Sequence, residues 1–173
     1  MKNKIKNRLI GLIVLLSISL SFPSCISYSF TGASIPPEAK TISIQYFDNH
    51  ASFVNPTLSE SLTTAVKDRF TNQTSLVLVR QNGDLQIEGV ITDYQSTPQA
   101  ITAGETAALT RLTIKVKVKF VNLLQPENNF ETTFSRYQDY ESTKDLAEVQ
   151  DVLVLLINEM LVDDIFNKAV VNW

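Results

Sequence analysis

The clearest alternation in the chain runs from Thr110 to Val121. Leu112, Ile114, Val116, Val118 and Phe120 share one side of an extended segment, and Arg111, Thr113, Lys115, Lys117 and Lys119 share the other. Gln125-Pro126-Glu127-Asn128-Asn129 reads as a turn, and Phe130–Tyr140 as its antiparallel partner. In that partner Phe130, Thr132 and Phe134 oppose Glu131, Thr133 and Ser135. Upstream, residues 41–47 alternate and are β-rich, until Asp48-Asn49-His50 breaks the pattern. Leu76–Arg80 predicts a short strand, and Asn82-Gly83 a tight turn, since both types tolerate positive φ. Leu85, Ile87 and Ile91 then alternate with Gln86, Glu88 and Thr92, a strand running to about Tyr94. A loop is expected over residues 96–105.

Two segments follow the helical period instead. Leu58, Leu62, Ala65, Val66 and Phe70 form one stripe, entered through Asn55-Pro56-Thr57 with Thr57 and Glu60 spaced as a capping box. Leu146, Val149, Leu153, Leu156, Ile157, Met160, Leu161 and Ile165 form a broader one, with Asp145 and Glu148 at its start. The order strand, helix, several strands, helix predicts an α+β domain over residues 41–173. Two helices would cover one face of a mostly antiparallel sheet of about four strands. The other face stays polar and carries the row Arg111, Lys115, Lys117 and Lys119.

The N-terminus follows a different logic. Lys2, Lys4, Lys6 and Arg8 precede the apolar run Leu9–Leu16, and Pro23-Ser24 lead to Cys25, the sole cysteine. A basic start, a short apolar middle and small residues at the exit make residues 1–24 a signal peptide. The run is shorter than the ~20 residues that span a bilayer. An exported chain with one cysteine forms no internal disulfide. Cys25 at this place resembles the lipobox cysteine of bacterial lipoproteins, with Phe22 and Pro23 standing where Leu and a small residue are usual. The resemblance implies a lipidated Cys25, membrane attachment through that lipid, and a tether over residues 25–40 rich in Ser, Thr, Gly and Pro. Tyr28, Phe30 and Ile35 are apolar enough to dock part of it.

Charge narrows the function. Removing the leader's four cations from the chain's 15 Lys and Arg leaves 11 against 18 acids, a net of −7. So acidic a domain is a poor general ligand for nucleic acid. His50 is the only histidine; beside Asp48 it reads as a solvated loop residue, and no Cys/His metal spacing or Ser-His-Asp set is found. Asp163-Asp164 reads as part of an exposed acidic helix face, because neighbouring helical residues point about 100° apart. Five glycines form no phosphate loop. These features point away from an enzyme and call for no metal or cofactor. One feature invites a ligand: four cations at two-residue steps on one β face repel each other unless anions are supplied. Glu88 and Glu131 on adjacent strands are candidate internal partners. An anionic ligand seated on the row is the alternative.

Several stretches together resemble the LptE lipopolysaccharide-assembly lipoproteins. They are Cys25 with Tyr28–Pro37, Thr41–Ile44, Gly83-Asp84-Leu85 with Glu88-Gly89, Arg111–Ile114, and Asp164–Asn167 through Asn172-Trp173. The resemblance implies two helices against a four-stranded sheet. It also implies an outer-membrane lipoprotein on the periplasmic side, resident as a plug in an LptD-like β-barrel and aiding lipopolysaccharide delivery to the cell surface. Members of the family use basic residues to bind the glycolipid, which makes Arg111, Lys115, Lys117 and Lys119 the candidates by charge. Two other classes remain open: a lipoprotein activating a periplasmic enzyme such as a cell-wall synthase, and a free-standing periplasmic lipid-binding module.

Overall fold

The computed structural model describes residues 35–53, 55–99 and 108–170; the leader, Cys25, Tyr28 and Phe30 lie outside them. The elements are β1 (Thr41–Ile44), β2 (Asp48–Asn49), α1 (Leu58–Gln73), β3 (Val77–Val79), β4 (Leu85–Pro98), β5 (Leu109–Asn122), β6 (Phe130–Glu141) and α2 (Leu146–Val170). Two helices cover one face of a sheet, as the periodicity predicted. The sheet is larger and more mixed than expected: six strands, ordered β3-β1-β4-β5-β6, with β2 also on β4. The pairs β4-β5 and β5-β6 are antiparallel, while β1 runs parallel to both β3 and β4.

The parallel half follows from α1. A chain that leaves β1, forms a helix over the sheet and returns beside β1 must come back parallel. β3 does so, and the link to β4 then carries the chain to the other side of β1. Asn82 in that link takes φ 56°, as a turn residue of its type can. Gly83 serves a different need from the positive φ expected of it. A Cβ there would lie 2.5 Å from the Ser43 nitrogen, so only glycine lets the link press against the β1 backbone. The predicted strand 41–47 is interrupted for a related reason. Phe47 leaves the ladder and buries its ring against Gly89, and Asp48–Asn49 then pair again with Val90 and Ile91.

The core lies between helices and sheet. Leu58, Leu62, Val66 and Phe70 of α1 are fully buried, and so are Ile157, Leu161 and Ile165 of α2. They meet Ile42, Leu85, Ile87, Ile91 and the apolar series of β5. Phe70 and Phe166 join the helices edge to face, 5.1 Å between centroids. Leu156 is exposed, against expectation; the face of α2 is set by Leu153, Val154, Ile157 and Leu161, which leaves position 156 outward.

The start of α1 also differs. Thr57 makes no side-chain cap, and its hydroxyl instead donates to Asn55 Oδ1, which also accepts the Thr57 amide at 3.0 Å. Asn55, not a Thr57/Glu60 box, organises the entry. At α2, Asp145 Oδ1 accepts the Ala147 amide at 3.0 Å and caps the helix, while the Glu148 amide goes to the Asp145 carbonyl rather than completing a box. Asp163 and Asp164 are not an idle acidic face. Asp163 pairs with Arg69 of α1, while Asp164 accepts two hydrogen bonds of 2.6 Å from Arg136 of β6. The 100° between neighbouring helical positions is what lets two consecutive acids reach two different elements.

Candidate functional site

The sheet face away from the helices carries the basic row. On β5 the apolar residues point inward, so Arg111, Lys115, Lys117 and Lys119 stand on the open face as expected. Each has a carboxylate in reach. Arg111 donates to Asp139 through Nε at 2.7 Å and Nη2 at 2.8 Å, a bidentate fork. Its guanidinium also stacks over Tyr137, 3.6 Å from the ring centroid. Lys115 Nζ lies 3.1 Å from Asp93 Oδ2, Lys117 pairs with Glu131, and Lys119 Nζ lies 3.6 Å from Glu88 Oε2.

The register explains these pairs. Glu88, Lys119 and Glu131 stand in one row across β4, β5 and β6, and Asp139 stands opposite Arg111. Glu88 and Glu131 are the partners the alternation suggested; Asp93 and Asp139 are the ones it missed. Asp139 shares its parity with Glu131, a signal that was legible. Asp93 needs a β-bulge: the β4–β5 register shifts between Ile91 and Asp93, leaving Thr92 as the extra residue. The slip of apolar positions from odd (Leu85, Ile87, Ile91) to even (Tyr94) is its trace in the sequence.

Electrostatics follow the geometry. Hydrogen bonds from Arg111 hold the Asp139 carboxyl below its ordinary range, and the hydrogen bond from Lys117 does the same for Glu131. Lys117 and Lys119 further line a cavity of about 280 Å³ with Gln45, Tyr46, Glu88 and Glu131. The cations of the row thus already hold carboxylates, the lysines in half-exposed pairs. His50 is exposed and its amide donates to the Ile91 carbonyl at 2.8 Å. Among the described residues no group of three metal-ligating side chains occurs.

A family model described as LptE, lipopolysaccharide-assembly, matches residues 39–169, from the root of β1 to the end of α2. The chain belongs to the LptE family. Its place is therefore in lipopolysaccharide assembly, and the two-helix, one-sheet fold is the one expected of it.

Solved structures similar to this LptE-family chain are distant in sequence. A hypothetical protein from Chlamydia trachomatis is 7% identical, with 78% of this chain and 99% of that one covered and a TM-score of 0.51. A protein from Xanthomonas campestris is 13% identical, with 78% and 88% covered and a TM-score of 0.51. A minor lipoprotein from Acinetobacter baumannii is 15% identical, with 75% and 91% covered and a TM-score of 0.47. The first two share the fold. No curated protein matches the chain by sequence.

Proposed function

We propose that the chain is an outer-membrane lipoprotein that plugs an LptD-like β-barrel and assists it in delivering lipopolysaccharide to the cell surface. Residues 1–24 are its removed signal, Cys25 carries the lipid, and residues 25–40 tether the domain on the periplasmic side. The observation that carries this reading is the family match across the whole described domain. The role is non-catalytic and uses no cofactor.

The open sheet face is the glycolipid seat in this reading. Lipid A phosphates are dense anions, and Lys and Arg are their fitting partners. The carboxylates already present do not forbid this, because ion pairs as exposed as Lys117–Glu131 and Lys119–Glu88 contribute little and can exchange. Arg111, forked to Asp139 and stacked on Tyr137, is the member least free to change partner. Lys115, Lys117 and Lys119 are the contacts, with Lys117 and Lys119 at the small cavity.

Purification of the lipidated protein in mild detergent, with partners identified by mass, tests the reading. A large β-barrel in stoichiometric amount is expected. A co-purifying cell-wall synthase in its place, or lipid with no protein partner, overturns it.

A further inference from the structure

On the side of the helix layer away from the sheet, α1 and α2 leave a groove of about 700 Å³. Thr57, Ser61 and Ala65 succeed one another at four-residue steps along α1, and their small side chains open the space. Val154, Leu155 and Val162 of α2 form the apolar wall opposite. Leu155 is 69% exposed and Val152 next to it 62%, an apolar strip with no cover among the described residues.

Asn158 lines the same groove at 3% exposure. The Ser61 hydroxyl donates to the Leu58 carbonyl at 3.1 Å, so it must accept from Asn158 Nδ2, 3.0 Å away. That fixes the amide and leaves Oδ1 buried without a hydrogen-bond partner. Buried carbonyls are almost always paired, so this one is an exception inside the helix pair. The rim of the groove is acidic: Asp68, Asp151 and Glu159 line it, and none forms an ion pair among the described residues. Its one cation, Arg69, is engaged by Asp163.

The geometry points to a docking groove for a short cationic, apolar segment of a partner polypeptide. An Arg or Lys stem packs on Val154, Leu155 and Val162, while its head offers charge to Asp68, Asp151 and Glu159. A phosphate-bearing lipid meets three carboxylates and is repelled; a bare acyl chain leaves those carboxylates without a counter-charge. The chain's own residues 25–34, 100–107 and 171–173 contain no Lys or Arg, and residues 1–24, which do, leave with the proposed signal peptide, so none of them supplies the missing charge. The inference is independent of the glycolipid reading, which concerns the opposite face of the domain.

The test places a photoreactive residue at Leu155 of the full chain in producing cells and maps the crosslinked segment by mass spectrometry. The expected adduct is a segment of another protein with Lys or Arg beside apolar residues. In the Asp151→Lys/Glu159→Lys variant its yield falls about tenfold or more. Both substituted positions are exposed, and an unchanged melting curve verifies that the variant folds. An adduct to this chain's own residues, to a second copy, to lipid alone or to a segment without cations overturns the inference. So does a yield untouched by charge reversal, or no adduct at all.

Discussion

Asp93 faces Lys115 across the open side of the sheet, Oδ2 3.1 Å from Nζ, because β4 slips by one residue at Thr92. Up to Ile91 the odd positions of β4 point to the core. After the slip the even position Tyr94 does so, and stacks on Phe53 at 5.6 Å. The slip thus completes the charge pairing of the open face and keeps a carboxylate out of the core.

Deleting Thr92 should straighten the ladder without turning Asp93 inward. With the extra residue gone, Asp93 follows Ile91 directly onto the open face and Tyr94 keeps its inward place. The deletion variant should keep its cooperative melt in circular dichroism; loss of that melt would show that the bulge itself is required for the fold.

Gly89→Ala tests the seat of Phe47. The added Cβ would stand 2.2 Å from a ring that is fully buried. Overpacking of this kind costs about 1–3 kcal/mol. The denaturation midpoint should fall accordingly, and Phe47→Leu in the same molecule should recover part of the loss. An undiminished midpoint in the single variant rejects the close packing.

The lysines are separable from the fold. Replacing Lys115, Lys117 and Lys119 together by Gln leaves the buried series Leu112–Phe120 untouched, so the triple variant should fold. It should bind purified lipopolysaccharide several-fold more weakly, and wild-type binding should weaken as salt rises. Equal affinities at two salt concentrations would reduce the row to internally paired surface.

Acid should act through Asp139. Arg111 holds that carboxyl below its ordinary value of 3.8. A carboxylate depressed in the folded state contributes stability above its ordinary value, and the contribution vanishes as pH falls through the folded value. The gap in melting temperature between wild type and Asp139→Asn should be full at pH 5 to 7 and close as the pH falls below about 3.8. A gap that stays constant down to pH 3 would mean that the Arg111 fork does not stabilise the fold.

Cys25→Ala should release the domain from membranes. Among the described residues no helix is long and apolar enough to cross one, and several acyl chains on one cysteine hold where a single chain does not. Sedimentation of the variant in cells lacking the proposed barrel partner decides the matter: persistence in the outer-membrane pellet places the anchor elsewhere.

Local periodicity alone decides which face of each element is apolar. Periods of 2 and 3.6 are local, so the basic row on β5, the inward stripes of both helices and the Glu88 and Glu131 partners could all be read from it. The order of strands is not local. An apolar face says what a strand buries but not which neighbour takes each edge, and so β3-β1-β4 emerged only with α1 packed above β1. The partners of Asp163 and Asp164 were hidden for the same reason: Arg69 lies 94 residues from the first, and Arg136 lies 28 from the second. The groove of Asn158 and the fit of Gly83 on Ser43 likewise exist only between segments far apart in the chain. Such contacts form where packing the whole core costs least, a balance no single stretch of sequence contains.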